Sequence, residues 1–188
     1  MFGDDIIAYL PERIKPFTEQ LKQFPSGYEK WVYATSLPSV IYQGDIFSRV
    51  PFVSIDDNGD VVRAEFCGMV VSNTCDAQPN QGDFVLLAPV IDLENYREIS
   101  NLRGEDLENH VGALTDNRIS QLMFLPETQD IRPSFVDFGN ICTVSLRHFH
   151  YDRGQKRLLS LSQCGHYFML IKLAYHLSRP EPSDAKRQ

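Results

Sequence analysis

Apolar and polar residues alternate over short distances between positions 44 and 146. Five runs carry this pattern: DIFSRVPFVSI, VVRAEFCGMVVS, FVLLAPVI, QLMFLP and SFVDFGNICTVSL. Runs of this length, rich in β-branched and aromatic residues, predict strands, and the turn sequence from Asp56 to Asp60 predicts a hairpin between the first two. We therefore expect five or six short strands, and antiparallel ones, because helices do not alternate with them.

Helical spacing characterises the two ends of the chain and one insertion. Apolar residues three and four positions apart occupy 4–24, where Pro11 and Pro16 divide the pattern into two short helices. The same spacing returns behind serines that can cap a helix, at Leu161, Cys164, Phe168, Ile171 and Tyr175. A polar segment from about 95 to 119 predicts a helical insertion between the strands.

Together these elements predict an α+β fold, a small and strongly curved antiparallel β-barrel with a C-terminal amphipathic helix. The predicted organisation is an N-terminal helical arm and linker over 1–42, the barrel domain with its insertion over 43–178, and a flexible tail over 179–188. The apolar stripe of the arm is expected to pack against its own barrel, or otherwise against a partner subunit.

The composition is that of a globular domain, since 43% of the 188 residues are hydrophobic and 23% are charged. A net charge of −7 argues against broad nucleic-acid binding, which depends on Lys and Arg at phosphates, although it leaves a local basic patch open. No apolar run reaches the roughly 18 residues that span a bilayer, and the N-terminus carries acids where a signal peptide is basic. We expect a cytoplasmic protein without membrane contact.

The order of the strand motifs resembles the MazF/PemK-like toxins of bacteria. The segments that carry the resemblance are QGDIF, GMVVSN behind a basic residue, FVLLAPV and SFVDFGNICTVSLRHF, followed by the terminal helix. They extend from position 43 to 177, apart from the insertion. The resemblance implies an SH3-like barrel, commonly a homodimer, in a toxin–antitoxin or defence setting. In active members it also implies cleavage of single-stranded RNA without a metal or another cofactor.

Two positions depart from the family pattern. Ala64 replaces the proline that follows the catalytic arginine, which Arg63 would represent, and Asp92 stands at the position of the catalytic threonine. A carboxylate repels phosphate and lacks a neutral hydroxyl donor. We therefore favour a diverged member that binds a nucleic acid or an antitoxin-like protein, with an active endoribonuclease as the alternative.

The segment Ser72–Asp76 holds the candidate catalytic chemistry. In the nuclease interpretation Arg63 stabilises charge on the phosphate, while Thr74, Cys75 and the basic segment 147–157 line or extend the same groove. Asp76 is included among the candidate catalytic residues. A nucleophilic Cys75 needs a nearby histidine or cation, and Asp76 acts against its ionisation. The favoured interpretation is a turn whose side-chain oxygens accept hydrogen bonds from the backbone. A small-molecule or metal site centred on Cys75 and Asp76 is a third alternative.

The segment RHFHYDRGQKR, residues 147–157, is the one basic cluster of the acidic chain. If the protein binds RNA, we expect contact here, because arginines contact phosphates and aromatic rings stack on bases. A solvent-exposed hairpin turn around Asp152 is the favoured alternative. The predicted nucleic-acid-binding residues are Arg147, His148, His150, Arg153, Lys156 and Arg157.

The four cysteines and five histidines form no recognisable metal motif. No CxxC pair occurs, and no spacing matches a structural zinc site. We therefore predict neither a metal site nor a cofactor, and we expect Cys67, Cys142 and Cys164 to be small core residues.

Overall fold

The computed structural model describes residues 30–37, 39–78, 82–150 and 156–177. The predicted N-terminal helices, the C-terminal tail, Arg153 and the side chain of His150 lie outside these residues.

Strands and helices alternate irregularly along the described part of the chain. The strands are β1 (Asp45–Ile55), β2 (Val61–Val70), β3 (Phe84–Asp92), β4 (Leu122–Leu125), β5 (Ser134–Asp137), β6 (Cys142–Ser145) and β7 (Arg157–Ser160). The helices are α1 (Leu93–Ile99), α2 (Gly104–Thr115), α3 (Arg147–His150) and α4 (Gln163–Leu177), and a 3-10 turn spans Phe138–Asn140. The predicted α+β class and the helical insertion are confirmed.

All seven strands belong to one antiparallel sheet, in the order β4-β5-β3-β2-β1-β7 with β6 also paired to β3. Strand β3 is central, because β2 pairs with one of its edges while β6 and β5 share the other. Within the described residues the path is open, with β4 and β7 at its ends. The run SFVDFGNICTVSL forms two strands, since the Asp137 carboxylate accepts a hydrogen bond from Gly139 N–H (2.8 Å) and the chain turns there.

The predicted hairpin turn forms between β1 and β2. Asp56 Oδ1 accepts hydrogen bonds from the N–H groups of Asn58 and Asp60, and Gly59 takes a φ of 86° that favours glycine. A β-bulge at Arg49, with φ 58°, shifts the register of β1 before the pairing continues to the turn. The hairpin extends to Ile55 and Val61, beyond the last residues that neighbouring strands pair with, which are Phe47 in β1 and Cys67 in β2.

Apolar side chains pack on both faces of the sheet. The largest cluster joins α4 to one face and includes Ile46, Met69, Ala88, Val90, Phe168, Met169 and Ile171. The second cluster covers the other face and includes Phe47, Val50, Phe52, Val70, Val85, Leu87 and Val144. A smaller third cluster joins α2 to β4 and β5 through Leu114, Leu122 and Phe135.

Helix α4 confirms the predicted terminal helix, and a serine caps it. Ser162 Oγ accepts a hydrogen bond from Gly165 N–H at 3.1 Å. The buried face is rotated relative to the prediction, because it consists of Gly165, Phe168, Met169, Ile171 and Lys172. Cys164, in the first turn of α4, is exposed, so its assignment to the core was wrong, while Cys67 and Cys142 are half-buried. No helix in the described ranges is long and apolar enough to cross a membrane.

Candidate binding site

The segment Ser72–Asp76 forms a turn closed by its own side chains. Ser72 Oγ accepts a hydrogen bond from Leu86 N–H at 2.7 Å, and Asn73 Oδ1 accepts one from Cys75 N–H at 3.1 Å. The carbonyl of Asn73 accepts another from Asp76 N–H at 3.0 Å. Cys75 and Asp76 are exposed. This geometry agrees with the turn interpretation of the segment.

Thr74 is the member of that turn that lines a pocket. The pocket has a volume of about 480 Å³ and lies between the turn, the start of β1, the end of β7 and the first turn of α4. Cys75 and Asp76 are not among its lining residues, which are Ala34, Ser36, Tyr42, Gln43, Thr74, Ser160, Leu161, Ser162, Gln163 and His166.

Gln43 connects Thr74 to His166 within this pocket. Its N–H donates to Thr74 Oγ1 (3.1 Å), and its side-chain Nε2 donates to the carbonyl of Val71 (2.8 Å). Because a carbonyl only accepts, the amide orientation is set, and Gln43 Oε1 faces His166 Nε2 at 3.0 Å. His166 therefore carries its proton on Nε2. Burial lowers the pKa of His166, so the imidazole is neutral at neutral pH.

A buried polar network lies beside this pocket. The carboxylate of Asp45 is fully buried and accepts hydrogen bonds from Arg157 Nη1 (2.7 Å), Ser160 Oγ (2.5 Å) and Tyr42 N–H (2.9 Å). The hydroxyl of Ser160 is thus engaged in the structure. Among the described lining residues no hydroxyl or thiol hydrogen-bonds to His166, so the pocket holds no nucleophile–base pair.

Arg63 lies far from Thr74. Arg63 lies in β2, opposite Val53 of β1. Met69, six residues further along β2, lies opposite Ile46 at the start of β1. At about 3.3 Å per residue this separation is about 20 Å. The structure therefore does not bring Arg63 together with Thr74, Cys75 and Asp76.

Asp92, which the resemblance would align with a catalytic threonine, is a helix cap. Its Oδ1 accepts hydrogen bonds from the N–H groups of Glu94 and Asn95, and its Oδ2 forms an ion pair with Arg132 Nε at 2.6 Å. The carboxylate thus stabilises the N-terminus of α1.

The predicted basic cluster is divided between the interior and the surface. Arg157 forms an ion pair with the buried Asp45, and its side chain is 18% exposed. Lys156 lies 3.8 Å from Asp130, while Arg147 and His148 begin helix α3. The described members therefore differ in burial, with Arg157 mostly buried and Lys156 exposed.

No group of three or more His, Cys, Asp or Glu residues within the described ranges could hold a metal ion. The structure therefore gives no support to a metal site centred on Cys75 and Asp76.

The far half of the β1–β2 hairpin carries an unusual amount of exposed apolar surface. We call residues 51–55 and 61–66 the distal ribbon. Strand β7 pairs with β1 only as far as Phe47, and β3 pairs with β2 only from Cys67, so no described strand flanks it. Its exposed large apolar side chains are Val53 (55%), Ile55 (73%), Val61 (61%), Val62 (44%) and Phe66 (37%).

Both faces of the distal ribbon are apolar. Val53, Ile55 and Val61 lie on one face, and Val62 and Phe66 lie on the other. The exposed charges are few, with Glu65 bound to Arg49 at 3.3 Å and Arg63 beside Val61 on the same face. Clustered exposed apolar surface is typical of protein–protein and membrane interaction sites.

The sequence contained part of this signal. The runs Val50–Ile55 and Val61–Phe66 alternate less cleanly than half-buried strands do, with apolar residues on consecutive positions. The pattern could not reveal which of these positions neighbouring strands would cover. No family model matches the chain, and no curated protein matches it.

Proposed function

We propose that this protein is a binding module for another protein, a diverged relative of the MazF/PemK-like barrels, and that the distal ribbon is its contact surface. The observation that carries the proposal is the exposure of five large apolar side chains on two strands that no described strand flanks. The order of the motifs from Gly44-Asp45 to α4 supports the relationship, including its barrel.

The chemistry of the ribbon favours protein over RNA. Binding to RNA depends on cations that neutralise phosphates, and the ribbon contributes one cation, Arg63, two positions from the acidic Glu65 in β2. Arg157 is bound to Asp45, and the net charge of the chain is −7. Apolar and aromatic side chains such as Val61 and Phe66 are instead suited to a dry protein interface.

The open edges of the ribbon define the form of the partner. An unflanked strand presents a row of N–H and C=O groups that pair with an extended segment of another chain. The partner segment is therefore expected to add a strand to β1 or β2, with its alternate apolar side chains against Val61 or Val62.

Site-specific photo-cross-linking in the native cells tests the proposal. A photoreactive amino acid replaces Val61 in one variant and Leu177 in a control, because Leu177 is similarly exposed (70%) at the end of α4. Adducts that are destroyed by protease and resist ribonuclease are expected at position 61 but not at 177. The double substitution Val53→Ser and Ile55→Ser, made in the position-61 background, should reduce their yield.

Three results would contradict this function. Adducts that disappear with ribonuclease indicate RNA, and equal adducts at both positions indicate non-specific contact. Cleavage of long RNA in EDTA that is lost in Arg63→Ala would instead establish the nuclease alternative, in which Arg63 stabilises the transition state.

A further inference from the structure

A second pocket lies under the helical insertion, away from the distal ribbon and from Thr74. We call it the insertion pocket. Its volume is about 480 Å³, and it lies between α1, α2 and the end of β5. Its lining residues are Ile91, Tyr96, Ile99, Ser100, Asn101, His110, Ile119, Gln121, Leu122, Phe135 and Asp137.

Most of the wall of the insertion pocket is apolar or aromatic. Tyr96 packs edge-on against Phe135, with ring centroids 5.2 Å apart, and lies 5.8 Å from the ring of His110. Ile99, which is 71% exposed, forms the rim. Such a wall accommodates the body of a small organic ligand.

The unusual member of the lining is Asp137, a carboxylate that is only 7% exposed. Its Oδ1 accepts hydrogen bonds from Gln121 Nε2 (2.7 Å) and Gly139 N–H (2.8 Å), and its Oδ2 accepts one from Asn140 Nδ2 (2.7 Å). All three donors are neutral. No Lys or Arg of the described residues pairs with it, in contrast to Asp45, which has Arg157.

Two properties of Asp137 define what the pocket would bind. A carboxylate has about four acceptor sites, so the three donors leave Oδ2 with capacity for another. A buried anion without a counter-charge is also costly, and a cation placed against it removes that cost. Aromatic rings such as that of Tyr96 further favour a cation nearby.

We propose that the insertion pocket binds a small organic cation, a primary amine or amidinium on an apolar or aromatic body, with the cationic group at Asp137. The body of the ligand lies against Tyr96, Ile99 and Phe135. This site is independent of the distal ribbon, so either assignment can fail without the other.

Benzamidine and phenethylamine are suitable probes, and benzamide is the neutral counterpart of benzamidine. Binding is measured by ligand-observed NMR and calorimetry on the whole chain. A hydrogen bond to a charged group contributes about 1.5–3 kcal/mol, so benzamidine should bind about tenfold or more tightly than benzamide. Asp137→Asn, which keeps the size of the side chain, should abolish this preference. Ile99→Ser should weaken both ligands equally.

Asp57→Asn is the matched control, because Asp57 is an exposed carboxylate in the β1–β2 turn. It should leave both affinities unchanged, and circular dichroism verifies that each variant is folded. The proposal is overturned if neither cationic probe binds at millimolar concentration, if benzamide binds as well as benzamidine, or if Asp137→Asn binds benzamidine like the unmodified protein. A weakened affinity in Asp57→Asn would show general attraction to an acidic chain and would also overturn it.

Discussion

The two halves of the β1–β2 hairpin have similar sequences and, apart from the buried Phe52, opposite environments. Near its base Ile46, Val50, Met69 and Val70 are fully buried, because α4 covers one face and the cluster around Leu87 covers the other. In the distal ribbon valines and isoleucine are more than 40% exposed on the same two strands. Strand propensity therefore explains the formation of the whole hairpin, whereas burial of its base depends on the neighbouring elements that cover it. The distal half lacks such neighbours, and its apolar side chains remain exposed.

Among the substitutions considered, the largest loss of stability is expected from Asp45, at the base of the hairpin. Removing one partner of a buried ion pair costs about 3–5 kcal/mol. Asp45→Ala leaves Arg157 without its carboxylate partner and should therefore lower the free energy of unfolding by that amount. Arg63→Ala in the distal ribbon should change it by less than about 0.5 kcal/mol. Denaturant unfolding of both variants measures the difference. A similar loss from the two substitutions would refute the contrast.

The contact between α4 and the segment before β1 should be next in size. A Cβ at Gly165 would lie 2.2 Å from the carbonyl oxygen of Val32, which is backbone and cannot rotate away. Gly165→Ala should therefore destabilise by about 3 kcal/mol. The control is Gly112→Ala in α2, where a Cβ meets nothing within 4 Å and alanine should stabilise by up to about 1 kcal/mol. Thermal unfolding checks both, and a neutral Gly165→Ala would mean that the helix packs less closely.

Lys172 connects α4 to the segment that follows α2, and it should make the stability of the protein depend on pH. Its Nζ is buried and donates to the carbonyls of Asn117 (2.9 Å) and Ile119 (2.8 Å), and burial lowers its pKa to about 7. The unfolded chain, with the ordinary pKa of 10.5, binds more protons between these values, so stability rises with pH there and is lost as pH falls through 7.

The difference between the unmodified protein and Lys172→Met isolates this effect. Burial raises the pKa of Cys67 and Cys142, which acts in the opposite direction in both proteins. From about pH 7.5 to 9 the unmodified protein should gain about 2 kcal/mol relative to the variant. Parallel pH profiles from denaturant unfolding would exclude a lowered pKa for Lys172.

The smallest effect on stability is expected in the distal ribbon itself. Val61→Ser and Ile55→Ser remove exposed apolar surface, so each should change the free energy of unfolding by no more than about 0.5 kcal/mol. Together they should nevertheless abolish protein cross-linking from a probe at Val62. Unfolding measurements and cross-linking yield are compared on the same preparations. A large loss of stability would show that the ribbon is part of the core.

Local signals predicted much of the fold. The alternation in Asp45–Ile55 and Val61–Val70, the turn at Asp56–Asp60 and the capping Ser162 act over a few residues, and each was found where expected. Strand β7 was missed because Arg157–Ser160 is short and merges with the helical pattern that follows it.

The candidate sites depended on distant contacts, and sequence predicted them less well. Arg157 belonged to a basic cluster in the sequence, yet its partner Asp45 is 112 positions away. His166 meets Gln43 across 123 positions, and Lys172 is buried although lysine is rarely a core residue. No sequence motif marked Asp137, and its place in a pocket depends on the insertion helices, which are distant in sequence.

By itself the sequence determined the antiparallel α+β class, the long hairpin with its turn, and the helices of the insertion and the C-terminus. Only the tertiary structure decided that the Ser72–Asp76 turn is separated from Arg63, that the distal ribbon is uncovered and that Asp137 lies in a pocket. Turns, caps and alternation depend on neighbouring residues, whereas burial and ion pairing depend on which remote segments the folded chain brings into contact.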